Sequence, residues 1–419
     1  MSEPALVVVG GGLAALRAVE TARREGHTGR VVLVCGEDRT PYDRPPLSKA
    51  VLDGTAEAGA FRTAASLRNE LDVDLRLGVR ASSLDVAARR VGLEDGTTVD
   101  YDALVIATGS LPRPFAGDDL DGVRHLRTAA DAEAVRAGLE AGARTVVVGA
   151  GFIGAEVASA ARARGLPVTV LEAAPTPLVR SVGPEVGDLV AGLHRAAGTD
   201  LRLGTGVAGL VEGARRGRVV GVRLQDGEVL PADLVVLGVG VAPATSWLAG
   251  SGLALHDDGG VLCEATLATS VPGVWAAGDV AHAPNPLLDG DLMRLEHWTN
   301  AAEQGAAAAR HALDPAAALA LAPVPYFWSF CYGRRLQMVG TARADEVTLL
   351  EAQPGSAEVA KVAALALYRR GDRLVGALAL DGPRVVMTFR RRIADRGSYA
   401  DALAAAQELV AGADGSAVA

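Results

Sequence analysis

Short runs of apolar residues recur along the chain, and each runs directly into glycine or another small or charged residue. Four such runs stand at 6–9, 31–34, 145–148 and 168–171. Continuous apolar runs of this length are typical of strands buried on both faces of a parallel sheet. Helical spacing of apolar residues follows the first and third runs, at 16–24 and 155–164. The pattern predicts an α/β fold with two Rossmann-like dinucleotide-binding domains.

The first run opens onto the pattern G-x-G-x-x-A. Gly10 turns the chain, Gly12 lets the backbone approach a pyrophosphate, and Ala15 allows close packing of helix on strand. The N-terminus of that helix attracts phosphate. Glu37 stands 25 positions after Gly12, where a carboxylate can accept hydrogen bonds from ribose hydroxyls. A tight turn without a ligand is the structural alternative, but the complete order of elements favours a dinucleotide site.

The same signature returns after the third apolar run, with Gly149, Gly151 and Gly154 opening the second helix. Glu172 stands 21 positions after Gly151, close to the spacing of a partner for the ribose 2′-hydroxyl. Two alanines follow Glu172, where a site for a 2′-phosphate would carry arginines. The carboxylate would repel that phosphate, so the sequence predicts NADH rather than NADPH.

Two further segments bracket this second motif. The first is an apolar strand ending in a small-residue turn made by Ala107, Thr108 and Gly109, and the second ends in Asp279. Their order resembles the two-dinucleotide flavoprotein family that includes glutathione reductase. The resemblance implies that the ATG turn marks the crossing from a FAD domain to a NAD domain, and that Asp279 holds the flavin ribityl chain. A simple helix N-cap is the alternative role for Asp279.

This resemblance implies that the NAD domain is inserted within the FAD domain. We expect a FAD-binding domain at 1–113 and 243–322, and a NAD-binding domain at 114–242. Gly238 and Gly240 would lie at the returning edge of the NAD domain. A smaller α+β domain would follow at 323–419.

Four longer segments narrow the resemblance. They are PYDRPPLSK at 41–49, GFIGAE at 151–156, RLEHWTNAAEQG at 294–305 and VPYFWS at 324–329. Together they resemble bacterial FAD-dependent NADH–ferredoxin reductases of the putidaredoxin reductase type, over essentially the whole chain. The resemblance implies electron transfer from NADH through FAD to a small 2Fe–2S ferredoxin that serves a cytochrome P450 or a ring-hydroxylating dioxygenase.

The same resemblance implies the residues beside the flavin ring. Lys49 would lie behind the ring and pair with Glu156 from the second glycine-rich helix, fixing a charge near N5. Arg44 and Pro45 would line the same wall. An exposed lysine at the start of a helix is the alternative for Lys49.

The opposite edge of the flavin is expected to face the helix that begins near Trp298. Its N-terminal N–H groups would stabilise negative charge on the reduced flavin. His297 is expected as a hydrogen-bonding neighbour rather than a proton donor, and Trp328 as a cover for the flavin or a core aromatic. The family usually carries Asp-Gln after FWS, whereas Phe330 and Cys331 stand here, which puts hydrogen bonding at the ring edge in doubt.

Cysteine content limits the chemistry. The chain has three cysteines, far apart and without a CxxC pair, which excludes a disulfide framework and a cysteine metal cluster. Disulfide reductases of this architecture need a thiol pair on the helix after the first site, where this chain has Leu47, Ser48 and Lys49. No metal is expected.

Charge and hydropathy limit the partners. The net charge of −9 argues against nucleic-acid binding, which depends on neutralising phosphates. The first apolar run lacks a basic leader and a cleavage site, and no apolar run is long enough to span a membrane. We expect a cytoplasmic protein without a membrane partner.

A local reversal of charge suggests where a ferredoxin docks. Residues 361–396 contain nine Lys or Arg and three Asp, a net charge of +6. We expect Arg391 in this window, with an exposed loop at Arg334 and Arg335, to form a basic patch for an acidic ferredoxin. The alternative is that the arginines merely spread around a helix, partly paired with the chain's own acids.

Two other functions compete with the reductase. The first is a redox-sensing FAD- and NADH-binding interaction protein like apoptosis-inducing factor, although nothing like its extra targeting segments is present. The second is a membrane-bound NADH–quinone reductase, which needs an amphipathic basic helix at the C-terminus. The segment 399–419 is alanine-rich with three acids and no Lys or Arg, which disfavours it.

Overall fold

The computed structural model describes residues 4–214, 217–352 and 362–411. Contacts between Cα atoms divide the chain into two units, each assembled from three separate segments. The first unit contains the chain up to Asp43, Ala58–Leu111 and Val241–Pro323. The second contains Arg44–Glu57, Pro112–Gly240 and the chain from Val324 onward. The α-helices of the described residues are α1 (Leu13–Arg24), α2 (Ala129–Glu140), α3 (Phe152–Ala163), α4 (Val179–Ala196), α5 (Trp298–Leu313), α6 (Pro383–Ala394) and α7 (Tyr399–Ala411).

A five-stranded parallel sheet forms the centre of the first unit. Its strands lie in the order Val274–Ala276, Ala103–Ile106, Leu6–Val9, Val31–Cys35 and Val73–Leu77. Each side chain of the central strand Leu6–Val9 is at most 2% exposed, because helices α1 and α5 and smaller sheets cover the two faces. This burial explains why the strand reads as an unbroken apolar run.

Smaller sheets complete the first unit. The strands Ala81–Asp85, Arg90–Leu93 and Thr98–Asp100 form an antiparallel meander. A second small sheet orders Val261–Leu262, Ala281–Asn285 and Asp291–Met293. The strands Ser110–Pro112 and Val241–Pro243 pair where the chain leaves and re-enters this unit.

The second unit contains another five-stranded parallel sheet. Its order is Asp200–Arg202, Val168–Leu171, Thr145–Val148, Leu234–Leu237 and Val123–Arg124. An antiparallel meander of Val207–Glu212, Val219–Leu224 and Val229–Pro231 packs on it. Helix α2 begins with a capping box, in which the Thr128 hydroxyl accepts the Asp131 N–H and the Asp131 carboxylate accepts the Thr128 N–H.

An antiparallel sheet of five strands follows at the C-terminal end of the second unit. The strands lie in the order Tyr326–Cys331, Arg334–Gly340, Arg373–Leu380, Ala364–Arg370 and Glu346–Glu351. Helices α6 and α7 pack on this sheet through buried side chains such as Phe389 and Ala402. The inner strands Arg373–Leu380 and Ala364–Arg370 are buried along most of their length, whereas the outer strand Tyr326–Cys331 is only partly buried.

The predicted fold class is confirmed, with two parallel dinucleotide-type sheets and a C-terminal domain of antiparallel strands and helices. The domain boundaries stay a prediction, because the contacts place residues 44–57 in the second unit, with both the inserted sheet and the C-terminal sheet. None of the helices that the structure describes is both long and apolar enough to cross a membrane.

Candidate functional site

The glycine-rich turn of the first unit is built for close approach. Gly10 has a φ of +148°, and a Cβ there would overlap with the carbonyl oxygen of Ala107. The turn therefore lies against the ATG segment, as the Ala107 N–H also donates to the Val9 carbonyl at 2.8 Å. Ala15, in the first turn of α1, is completely buried, which fits its predicted packing role.

Open space lies beside Gly12, where an added Cβ would meet no atom within 4 Å. Gly12 is the N-cap of α1, no side chain caps this helix, and its first turn carries no acid. The backbone N–H groups at this helix end can therefore bind phosphate. Glu37 accepts a hydrogen bond from the Tyr42 hydroxyl at 2.8 Å, and its role toward a ribose stays a prediction.

The ATG turn and the pair Gly278-Asp279, which we call the GD segment, make several contacts within the first unit. The Thr108 hydroxyl donates to the Ala244 carbonyl at 2.8 Å, and Gly109 takes a φ of +69°. The Ser110 hydroxyl lies 3.3 Å from the Asp279 carboxylate. Gly278, with a φ of +79°, packs against Ala14 of α1. The structure thus places the GD segment beside the first glycine-rich helix.

Helix α5 begins in the same unit at the expected position. His297 is its N-cap residue, and burial lowers the pKa of His297 to about 4, although the charge of Asp279 opposes that shift. The imidazole is therefore neutral at pH 7. The Trp298 indole donates to the Asp43 carboxylate at 2.9 Å. The contact of α5 with a flavin stays a prediction.

The second glycine-rich turn repeats the first in the second unit. Gly149 has a φ of +102°, and a Cβ there would overlap with the carbonyl oxygen of Gly238, while one at Gly154 would overlap with the Gly149 carbonyl. Open space lies beside Gly151, the N-cap of α3, whose first turn carries no acid. Gly240, with a φ of +92°, accepts the Arg113 N–H at 3.0 Å.

Glu172 follows the strand Val168–Leu171 and is held by backbone groups. Its carboxylate accepts the Ala150 N–H at 2.8 Å and the Ala174 N–H at 2.9 Å. These bonds fix a negative charge beside the second glycine-rich turn and leave lone pairs for further donors. The arrangement fits a ribose with free hydroxyls better than one that carries a phosphate.

A buried cluster surrounds Glu156, and we call Ser48, Lys49, Glu156, Ser329 and Phe330 the Glu156 cluster. The Lys49 ammonium lies 2.8 Å from the Glu156 carboxylate, whose side chain is only 3% exposed. The hydroxyls of Ser48 and Ser329 donate to the same carboxylate, the latter at 2.6 Å, and the Phe330 N–H lies at 3.3 Å. The predicted lysine–glutamate pair is present, whereas its position behind a flavin stays a prediction.

The remaining predicted flavin residues of the second unit lie near this cluster or on the C-terminal sheet. Arg44 donates to the Arg127 carbonyl at 2.6 Å. The Pro45 carbonyl lies 3.3 Å from the Lys49 ammonium, which places the two together. Trp328 is half-buried and stacks on Tyr326, with ring centroids 5.7 Å apart.

All three cysteines are unsuited to thiol chemistry. Cys35 and Cys331 are buried and Cys263 is nearly so, and all are unpaired. Burial raises the pKa of each thiol to about 12. A thiolate is the nucleophile in disulfide exchange, so these residues do not supply one near neutral pH.

The predicted basic patch needs a correction. Arg334 and Arg335 do not form an exposed loop, because both begin the strand Arg334–Gly340 and are half-buried. Arg334 pairs with Asp381, and the Arg335 guanidinium lies 5.5 Å from the ring centroid of Phe330. Arg391 is 88% exposed on α6, and its guanidinium lies 3.7 Å from the Asp395 carboxylate. Lys361 of the same basic window lies outside the described residues.

Ser48 and Ser329 were not singled out from the sequence as binding residues. Ser48 stands next to Lys49 near the end of PYDRPPLSK, and Ser329 follows Trp328 at the end of VPYFWS. The signal was therefore present, but a serine hydroxyl at a motif end has many possible partners. Only the packing of α3 against both segments shows that the two hydroxyls meet the same carboxylate.

Two family models match the chain. One, described as pyridine nucleotide-disulphide oxidoreductase, matches residues 4–305, and one described as reductase C-terminal matches residues 326–410.

Relatives of similar length match nearly the whole chain. It is 37% identical to rhodocoxin reductase of Rhodococcus erythropolis, over 93% of this chain and 89% of that protein. It is 38% identical to the ferredoxin–NAD(+) reductase component of the anthranilate 1,2-dioxygenase system of Burkholderia cepacia, over 94% and 95%. A chain from the crystal structure of the covalent putidaredoxin reductase–putidaredoxin complex superposes with a TM-score of 0.87 at 32% identity, over 97% of this chain and 100% of that one.

Proposed function

Because this chain belongs to the pyridine nucleotide-disulphide oxidoreductase family, in its group of ferredoxin reductases, we propose that it transfers electrons from NADH through FAD to a small 2Fe–2S ferredoxin. That ferredoxin would supply a cytochrome P450 or a ring-hydroxylating dioxygenase; one relative is named as a component of a dioxygenase system. The observation that carries the proposal is the presence of two uncapped glycine-rich helix ends, one on each parallel sheet, in a chain without a reactive thiol.

The residues of the first unit would bind FAD. The N–H groups at the start of α1 would hold the pyrophosphate, with Glu37 on the adenosine ribose and Asp279 on the ribityl chain. When bound, FAD would supply the chemistry that accepts two electrons from NADH and passes them one at a time to an iron–sulfur partner. The N-terminus of α5 would orient the pyrimidine edge of the ring.

The second unit would bind NADH, and it carries Lys49, the residue predicted to act on the flavin. The turn at Gly151 would hold the NADH pyrophosphate, and Glu172 would accept hydrogen bonds from the adenosine ribose. Lys49 would place a positive charge near flavin N5, held in position by Glu156. Trp328 would cover the ring and help to exclude water.

Steady-state reduction of a ferredoxin panel by NADH tests this proposal. The purified protein should carry FAD in stoichiometric amount, reduce ferricyanide with NADH, and reduce at least one acidic 2Fe–2S ferredoxin many times in succession. If the reduced protein instead forms a long-lived complex with NAD and reduces no ferredoxin, the redox-sensing alternative is right. A protein that binds no flavin would contradict both functions.

A further inference from the structure

Arg294 bridges three separate parts of the first unit: the loop at Asp258, the GD segment and the entry to α5. It lies between the strand Asp291–Met293 and helix α5, and its side chain is 12% exposed. Its guanidinium donates to the Asp258 carboxylate at 3.0 Å, to the carbonyl oxygen of Asp279 at 2.9 Å, and lies 2.7 Å from the Glu296 carboxylate. We call these four residues the Arg294 bridge.

The Asp258 end of the bridge is itself rigidly held. Asp258 accepts the Gly260 N–H at 2.9 Å and lies 2.9 Å from Nε2 of the buried His282. Burial alone would raise the pKa of the Asp258 carboxyl, but the Gly260 N–H, His282 and Arg294 together hold it well below its usual range. The carboxylate therefore stays ionised, and it fixes the guanidinium at a constant position.

Around Asp258, ligand atoms of His256, Asp258 and His282 converge as they would around a metal ion. The two imidazoles are stacked, with centroids 4.1 Å apart and an interplanar angle of 24°. Imidazole coordinates a metal through a lone pair in its own ring plane, so two stacked rings do not direct their lone pairs at one ion. The arrangement is better suited to hydrogen bonding and ion pairing around Asp258.

The other end of the bridge fixes the GD segment. A hydrogen bond to the Asp279 carbonyl orients the peptide that follows Asp279, while Ser110 lies 3.3 Å from its carboxylate. The residues between Arg294 and the N-cap His297 form the entry to α5. One planar guanidinium with several fixed donors can hold both segments at once, which a single ammonium cannot do.

We propose that Arg294 is a positioning residue for FAD, which keeps Asp279 and the N-terminus of α5 in the geometry that binds the ribityl chain and the flavin ring. This inference rests on the proposed function, and its residues form no part of the electron path. Loss of the bridge should weaken FAD binding. It should also lower the flavin midpoint potential, because the helix end that stabilises the reduced form is no longer held.

The test compares Arg294→Met and Arg294→Lys holoenzymes with Arg310→Met as the matched control. Arg310 lies on helix α5, which follows Arg294 in the chain. It is 47% exposed and pairs with Glu25, so its loss leaves the bridge intact. FAD release after dilution is followed by flavin fluorescence, and the midpoint potential by dye equilibration. Arg294→Met should release FAD at least about tenfold faster and have a more negative potential, with Arg294→Lys between it and the wild type.

Each outcome decides the inference. Wild-type release and potential in Arg294→Met would overturn it, as would a release rate equally raised in Arg310→Met. If Arg294→Met fails to fold, Arg294→Lys decides, and wild-type behaviour of that variant would show that the bridging geometry is not needed. A wild-type protein that binds no FAD would contradict the proposed function itself and is recognised before any variant is made.

Discussion

At the scale of single residues, Glu156 is the most heavily hydrogen-bonded side chain of the candidate site. Its carboxylate meets Lys49, two serine hydroxyls and the Phe330 N–H while almost completely buried. Removing the Lys49 ammonium would leave a buried carboxylate without its counter-charge, which is strongly destabilising in a protein interior. The Glu156 cluster therefore has two roles: it fixes the position of the Lys49 ammonium, and it contributes to the stability of the second unit.

Replacing Lys49 with methionine should separate these two effects. We expect a loss of about 2 kcal/mol or more in stability, because a buried carboxylate loses its counter-charge. We also expect slower flavin reduction by NADH in stopped-flow experiments, with FAD still bound. Combining Lys49→Met with Glu156→Gln should recover much of the stability but not the rate. If NADH reduces the flavin of Lys49→Met at the wild-type rate, Lys49 has no role in electron transfer from NADH to the flavin.

Glu172 should determine the choice of nicotinamide cofactor. We expect kcat/KM for NADH to exceed that for NADPH by at least about tenfold, which requires only about 1.4 kcal/mol. The double variant Glu172→Ala, Ala173→Arg should narrow this ratio, because it replaces a fixed negative charge with a positive one. Glu133→Ala, an exposed acid on α2, is the matched control and should leave the ratio unchanged. Equal rates with both cofactors in the wild type would contradict the assignment.

The sequence predicted these residues to different degrees. The glycines and the two acids follow from spacing alone, because a strand, a turn and a helix fix their relative positions. Lys49 and Glu156 are far apart in the chain, and their pairing came only from a family resemblance. The contribution of Ser329, and the bridge between Asp258 and Asp279, depend on side-chain packing between distant segments, which local patterns do not encode.

At the scale of elements, helix α6 is the part of the C-terminal domain most suited to meet an acidic partner. Arg384, Met387 and Arg391 are exposed and recur at helical spacing along one face. Arg390 and Arg392 are half-buried beside it, and Arg391 lies 3.7 Å from the exposed Asp395 carboxylate, so the alternative of arginines spread around a helix and partly paired applies in part. Arg334 is paired with Asp381, which makes it a poor probe of docking.

Reversing the two exposed arginines of α6 should test the docking proposal. We expect the Arg384→Glu, Arg391→Glu variant to reduce ferredoxin more slowly and with less dependence on salt, because opposite charges mainly accelerate encounter. NADH–ferricyanide activity should stay at the wild-type level. The control, Arg90→Glu with Arg218→Glu, makes the same change in net charge at two exposed sites outside the C-terminal domain. If the control variant reduces ferredoxin equally slowly, the effect comes from net charge alone and not from docking on α6.

The elements that the sequence predicted best are the parallel strands. Their apolar runs are buried on both faces, so pattern and structure agree closely. Other elements were less predictable. Helix α4 contains Gly183, with a φ of +80°, followed by Pro184, and this kink has no clear periodic signal. Arg334 and Arg335 were predicted to form an exposed loop, but they begin a strand and contact Asp381, which buries part of their side chains.

At the scale of the whole molecule, buried histidines in both units should govern stability in acid. Burial, aided by the charge of Arg195, lowers the pKa of His194 from 6.5 to about 4, and burial does the same to His297. Unfolded chains bind protons at these residues in that range, whereas the folded protein does not. Their stabilising contribution is therefore complete above pH 6.5 and is lost as the pH falls toward 4.

The expected result is a falling Tm between pH 6.5 and 4.5, with a loss on the order of 3 kcal/mol per histidine at most. His194→Gln removes one titrating group while keeping an acceptor for the Tyr332 hydroxyl, which lies 2.7 Å from the imidazole. This variant should show a shallower dependence of Tm on pH than the wild type. His125→Gln serves as the control at a less buried position. An unchanged slope in His194→Gln would refute the assignment.

The interleaving of three segments in each unit has a consequence for how the protein is made. The sheet that carries the first glycine-rich turn gains its last strand, Val274–Ala276, only after the whole second parallel sheet has been synthesised. A nascent chain thus exposes the apolar edge of Ala103–Ile106 for the time that a ribosome needs to translate well over a hundred residues, on the order of ten seconds. Translation speed and chaperone capture should therefore limit the yield of this protein more than its equilibrium stability does.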